Sequence, residues 1–134
     1  MQFLGDRAAN SRLAPVGGSM ARARVNEVLS YTGSELHIAF SPFFNPNASD
    51  TAKAAAHKAV TAKLGWLEDQ LSDGRAYLTG PDFTIADAYA FVVANWANFT
   101  DIALEPWPKL QGFMARVAAR PAVQRVLRAE GLAA

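Results

Sequence analysis

The side chains suited to acid–base chemistry near neutral pH are the two histidines, His37 and His57. Glu35 lies two residues before His37, and on a helix this spacing turns the two side chains about 200° apart. They therefore do not form a metal-binding or base–orienter pair by themselves. By spacing alone, His37 is either an ordinary residue of a helix surface or domain interface, or a functional one. His57 lies between alanines and Lys58, which is typical of a solvent-facing side chain.

Composition excludes several kinds of site. The 134 residues include no Cys, so thiolate nucleophiles, disulfides and Cys-bound metals are absent from them. No zinc-protease, serine-hydrolase or phosphate-loop motif is present. We therefore expect no metal site and no catalytic nucleophile in this chain. With 13 basic and 12 acidic residues and no basic run, nucleic acid is not an expected partner. Without a signal-like N-terminus or a membrane span, a cytoplasmic location is expected.

The tryptophans offer a second kind of site, an aromatic wall for an apolar ligand. Trp66, Trp96 and Trp107 are spaced as core residues would be, and aromatic residues on helices usually fill a core. Trp96 differs because it lies beside Asn95 and Phe99, near the end of a predicted helix. It is either a core residue or one wall of a pocket mouth.

The helix that carries Trp96 is the element that organises the rest. Thr84 precedes Asp87 by three residues, which predicts a reciprocal capping box at the start of a helix. Over residues 85–97 only Asp87 and Asn95 are clearly polar, so we expect burial on every side. About 13 residues are too few for the roughly 20 that span a bilayer, so the surrounding medium is protein. The fold class is predicted to be all-α, a helical bundle around a buried central helix.

Caps and prolines mark the remaining elements. The predictions are a helix tail over 1–9, a linker over 10–18, and a helical domain over 19–134. Within that domain we first expect a long helix from Ser19 to about Phe40, then a loop over 41–47 and a second long helix from Ser49 to a stop at 72–74. Two further helices are expected to begin at Pro108 and at Pro121. In the last of these, the side chains expected to face inward are Val123, Val126 and Leu127.

The ordered set of these segments resembles the C-terminal helical domain of cytosolic glutathione transferases, most closely the bacterial beta class. The resemblance is carried by Tyr-Leu-Thr-Gly (77–80), Phe-Thr-Ile-Ala-Asp-Ala-Tyr (83–89), Ser-Glu-Leu-His (34–37), Trp-Pro-Lys-Leu (107–110) and Arg-Pro-Ala-Val (120–123). The Thr-Ile-Ala-Asp box belongs to the whole superfamily and indicates the fold. The Ser-Glu-Leu-His segment is the signal for the class.

The resemblance implies roles for particular residues. His37 matches a histidine near the sulfur of glutathione, and Glu35 matches a residue close to the peptide bound in the neighbouring subunit of a dimer. Ser30 stands where an Asn usually touches the partner's glutathione. Trp96 matches a wall of the pocket for the hydrophobic co-substrate, where Ile38 and Phe99 are also expected. Ile38 replaces a Lys that commonly follows the histidine.

The resemblance also implies a missing part. In the family, a thioredoxin-like domain holds most of the glutathione site and the catalytic Cys or Ser, and residues 1–9 resemble the end of its last helix. The expectation is a truncated, homodimer-forming part of an enzyme that uses glutathione as co-substrate and no cofactor. Alone it would be inactive, with an apolar face left exposed. The alternative is a non-catalytic helical module that binds a protein or a ligand.

Overall fold

The computed structural model describes residues 1–8 and 12–132. These residues form seven α-helices and no β-strand, so the all-α prediction is confirmed. The helices are α1 (Gln2–Arg7), α2 (Met20–Tyr31), α3 (His37–Phe44), α4 (Asp50–Gln70), α5 (Ile85–Ala94), α6 (Pro108–Ala118) and α7 (Pro121–Ala129). The predicted boundary between a helix tail and a linker at residues 9–10, and the end of the predicted domain at 133–134, lie outside the described residues.

Helix α5 lies at the centre, against α2 and α6. Its first turn contains the reciprocal capping box, in which Asp87 accepts the Thr84 N–H at 2.7 Å and the Thr84 hydroxyl accepts the Ala86 N–H at 3.3 Å. The same carboxylate also accepts the N–H of Leu78 at 2.8 Å. One fully buried side chain therefore fixes both the start of α5 and the turn that precedes it.

The prediction that this helix is buried on every side is wrong. Val92 of α5 is 53 % exposed, and Phe99 in the following 3₁₀ turn (Asn95–Phe99) is 61 % exposed. The regular helix also ends at Ala94 rather than near residue 97. Burial of one face depends on a neighbour that covers it, and α7, the helix nearest to that face, contributes no buried residue.

Helix α7 therefore corrects a second prediction. Pro121 does open it, and Val123 packs against the core as predicted, but Val126 is 59 % exposed and Leu127 is only half-buried. Its apolar side faces α5 across a groove and does not close onto it.

The first long helix also departs from prediction. Ser19 caps it as expected, accepting the Arg22 N–H at 3.1 Å. The chain then passes through a π-helical turn (Thr32–Leu36) and continues as α3 to Phe44, so the predicted loop from Ser41 is wrong at its start. Pro42 lies inside the last turns of α3, where a missing N–H costs a single backbone hydrogen bond. Aromatic packing of Phe44 on Trp96, with ring centroids 5.2 Å apart, holds this end in place.

Helix α4 and helix α6 are joined by a cap supplied across the bundle. Trp107 precedes α6 and provides no side-chain cap. Glu68 of α4 accepts the N–H groups of Lys109 at 3.2 Å and Leu110 at 2.7 Å instead. A carboxylate at this position also suits the positive end of the α6 dipole.

Helix α1 is attached to the bundle by a close backbone approach and an ion pair. A Cβ at Gly5 would lie 2.9 Å from the Cβ of Ala14, so only glycine fits there. The buried guanidinium of Arg22 donates to Asp6 at 2.7 Å and to the carbonyl of Pro15 at 2.6 Å. The outer apolar side chains at this end of the molecule are exposed: Phe3, Leu4, Val16 and Met20.

Candidate functional site

The π-helical turn sets the position of His37. It inserts between α2 and α3, and His37 is the first residue after it. Such turns inside helices are frequent at functional sites. Gly33 lies within the turn, and a Cβ there would lie 3.6 Å from the hydroxyl of Tyr89 on α5. The phenol of Tyr89 therefore rests against the turn.

His37 contacts two residues of the α5 segment. Its Nδ1 forms a hydrogen bond of 2.8 Å with the Tyr89 hydroxyl. Its ring also meets Trp96 edge-on, with centroids 4.8 Å apart and planes at 89°. Tyr89 and Trp96 are seven residues apart, which places both on one side of the helix. The structure thus brings together His37 and Trp96, which the sequence suggested separately.

Tyr89 was not among the predicted site residues. A signal for it did exist, because a tyrosine in an otherwise apolar helix carries a hydroxyl that needs a hydrogen-bond partner. The partner is 52 positions away along the chain, so the pairing depends on tertiary structure.

Trp96 also lines the groove between α5 and α7, which has a volume of about 490 Å³. Its lining is largely apolar, with Phe99 and Val92 on one side and Val123 and Leu127 on the other. This volume and lining suit a small apolar molecule. The structure places two of the three predicted pocket residues, Trp96 and Phe99, at this groove. The third, Ile38, is 61 % exposed and does not line it.

Glu35 lies apart from His37 and forms an ion pair with Lys63 of α4. Beside it, Tyr31 stacks on Trp66 with centroids 3.8 Å apart and donates to the Lys63 carbonyl at 3.1 Å. Burial, and secondarily the charge of Glu35, raise the pKa of Tyr31 to about 12, so its phenol stays protonated.

Ser30 is exposed at the end of α2, where its carbonyl accepts the Ser34 hydroxyl at 2.8 Å. The side chains of Glu35 and His37 are engaged by different helices, α4 and α5. The three residues that the resemblance places near glutathione are therefore close in sequence but form no single hydrogen-bonded cluster within the described residues.

Asp87 is a structural residue in this arrangement. It is fully buried, and burial raises the pKa of its carboxyl group, an effect that its hydrogen bonds from Leu78 and Thr84 partly oppose. A ligand has no access to it.

Over residues 1–8 and 12–132, no group of three acidic or histidine side chains is placed to hold a metal ion. In the same part of the chain, no helix is long and apolar enough to cross a membrane. The exposed imidazole of His37 meets a tryptophan that lines an apolar groove. Such an arrangement can bind a ligand with one polar and one apolar part.

Known proteins are similar to this chain in fold and in overall sequence. The family described as "Glutathione S-transferase, C-terminal domain" matches residues 31–121. Glutathione S-transferase GstA of Escherichia coli O157:H7 is 37 % identical over 132 residues, which cover 98 % of this chain and 65 % of the relative. The chain thus belongs to the glutathione S-transferase family and corresponds to its C-terminal helical domain.

Solved structures place it more closely within the family. The bacterial glutathione S-transferase BphK, in a ternary complex, is 44 % identical with a TM-score of 0.93. A sphingomonad enzyme complexed with glutathione is 41 % identical (TM-score 0.92), and the beta-class enzyme of Sphingomonas chungbukensis is 39 % identical (TM-score 0.92). In each comparison 98 % of this chain covers 65 % of the other. The chain is thus similar to bacterial members of the family, one of which is of the beta class.

Proposed function

We propose that this chain is the co-substrate-binding, dimer-forming part of a cytoplasmic glutathione transferase that conjugates glutathione to hydrophobic electrophiles. The observation that carries the proposal is the contact between His37 and Trp96, a tryptophan that lines the apolar groove. A polar group beside an apolar surface supports the proposal, because the reaction joins the sulfur of glutathione to an apolar molecule. The similar sphingomonad structure, which contains glutathione, supports the choice of the peptide.

The chain by itself is proposed to be inactive. It spans 65 % of the length of the E. coli relative, and it contains no thiol to act as a nucleophile or to be matched to the family's catalytic Cys. We expect the 134-residue chain to pass through a column of immobilised glutathione without retention. Retention that free glutathione abolishes would contradict this expectation.

The reading frame before Met1 gives a genetic test of the proposed enzyme. An in-frame thioredoxin-like segment supports the proposal, and a stop codon there contradicts it for this product.

Binding of a fluorescent dye with an apolar aromatic body, such as the anion anilinonaphthalene sulfonate, tests the roles assigned to the two side chains. Trp96→Ala removes an aromatic wall of the groove and should weaken dye binding by about 1 kcal/mol, about fivefold in Kd. His37→Ala should weaken it less, because His37 does not line the groove. The matched controls are Trp66→Ala and His57→Ala, which lie outside it. Equal losses for Trp96→Ala and His37→Ala would contradict the assignment.

A non-catalytic binding module is the second candidate, and one observation favours it. The resemblance expects Glu35 to face glutathione in a neighbouring subunit, but here Lys63 already neutralises its carboxylate. Sedimentation of the chain, and of a Lys63→Met variant in which Glu35 has lost its ion-pair partner, separates the two candidate functions. The enzyme part is expected to sediment as a dimer, whereas a monomer that still binds the dye favours the module.

A further inference from the structure

We propose that Tyr89 is a positioning residue for His37. Its hydroxyl donates to Nδ1, so the neutral imidazole carries its hydrogen on Nε2 and presents that N–H outward as a donor. The ligand atom that such a donor suits is an anionic acceptor such as a thiolate. The identity of that atom rests on the proposed function, whereas the protonation of the ring does not.

The direction of the hydrogen bond follows from the chemistry of the two groups. A phenol O–H is a stronger donor than acceptor, and an imidazole nitrogen without hydrogen is a good acceptor. Tyr89 is half-buried, and within residues 1–8 and 12–132 its hydroxyl has no hydrogen-bond partner other than His37. The hydroxyl hydrogen therefore points to Nδ1 at 2.8 Å. A neutral ring whose Nδ1 accepts must carry its hydrogen on Nε2.

The surroundings hold the ring in this state. Trp96 meets the imidazole at 89° and restricts its rotation. Tyr89 belongs to the central helix α5, whose start is fixed by the buried Asp87. A carboxylate is the usual partner that orients a histidine, and the nearby Glu35 is paired with Lys63 instead. In the described part of the chain, the phenol is thus the group that selects the tautomer.

The selected tautomer has a consequence for ligand binding. An Nε2–H donates a hydrogen bond to a thiolate and stabilises its charge. The opposite tautomer would direct a lone pair at the sulfur, which repels a thiolate. Since His37 is exposed and no described residue bonds its Nε2, this nitrogen is available to a ligand. Tyr89 would thereby favour the ionised form of a bound thiol without touching it.

Nitrogen chemical shifts measure the tautomer directly. In the uniformly ¹⁵N-labelled full chain, a long-range proton–nitrogen correlation spectrum is recorded at a pH well above the ordinary histidine range of about 6.5. His57, which is exposed and makes no such bond, is the internal reference. We expect His37 to show a protonated Nε2 and an unprotonated Nδ1, with Nδ1 displaced from the His57 value toward the hydrogen-bonded range. A hydrogen on Nδ1 in the unmodified chain would overturn the proposal.

Tyr89→Phe removes the hydroxyl and keeps the ring. The Nδ1 shift of His37 should then move to the value of His57, with the Nδ1–H tautomer now also populated, while His57 does not change. Tyr77→Phe is the matched control, because its hydroxyl interacts with Arg120 and not with His37. An unchanged His37 spectrum in Tyr89→Phe would refute the positioning role. Since no ligand is used, either failure leaves the tests of the proposed function standing.

Discussion

Replacing Asp87 with Ala should produce the largest loss of stability among the polar residues of this chain. The carboxylate accepts the backbone N–H groups of Leu78 and Thr84, at 2.8 and 2.7 Å, and the Thr84 hydroxyl at 2.9 Å. Without it, two buried N–H donors have no acceptor, and each costs about 1–3 kcal/mol. The energy already spent on burying the charge is recovered on substitution and opposes this loss. We therefore expect a net loss of about 3 kcal/mol, near the lower part of the sum.

Such a loss is large because the free energy of unfolding of an ordinary domain is only about 5–15 kcal/mol. It should lower Tm by roughly 10 °C for a chain of this size. Urea unfolding followed by far-UV circular dichroism measures the loss of unfolding free energy, and thermal unfolding followed in the same way measures the change in Tm. Asp69→Ala is the matched control, since Asp69 is an exposed carboxylate of α4, and it should change stability by less than about 0.5 kcal/mol.

Thr84→Ala and the double variant complete a thermodynamic cycle. Because Thr84 and Asp87 share hydrogen bonds, we expect a coupling free energy of about 0.5–3 kcal/mol. If Asp87→Ala costs no more than Asp69→Ala, the buried carboxylate does not hold this end of the bundle. The reasoning from its hydrogen bonds would then be refuted.

Three further predictions concern charge and capping. Burial raises the pKa of Asp87 in the folded state, so at pH values between its unfolded-state and folded-state pKa the native chain binds more protons than the unfolded chain. The free energy of unfolding, measured relative to Asp87→Asn, should therefore fall as the pH rises through this range. A free energy of unfolding that rises with pH there would contradict the prediction. Glu68→Ala should cost about 1 kcal/mol in urea unfolding because α6 loses its cap, whereas exposed Glu105→Ala should be near neutral. Arg22→Met should free α1, so limited proteolysis near Asp6 should accelerate, and an unchanged rate would show that other contacts hold α1.

The sequence predicted where several helices begin: the capped start of α5, the caps at Ser19 and Ser49, and the prolines that open α6 and α7. Each depends on residues within about one helical turn of one another, so the local pattern is sufficient. The buried residues of α4 also follow a period of 3.6 residues, which places them on one face and can be read in the sequence: Ala56, Val60, Leu64 and Leu67. These local signals were enough to predict the fold class, whereas the family was inferred from the resemblance of whole segments such as residues 34–37 and 83–89.

The candidate site required the tertiary structure. His37 and Trp96 were separate candidate residues in the sequence. Their contact and the proposed role of Tyr89 depend on the π-helical turn, which no local sequence pattern predicted. A π-turn replaces regular helical hydrogen bonds with a slightly different register, and the difference in energy is too small to read from residue types.

The boundary between the two kinds of information is clearest at α5. Its sequence determined that it would be a capped, apolar helix, because capping and hydrophobicity are properties of neighbouring residues. Whether every face is covered depends on how closely the other helices approach. Val92 and Val126 are apolar and exposed because α7 stops short of α5 and leaves the groove open. Only the packing of distant segments decided that this helix has one buried side and one side available to a ligand.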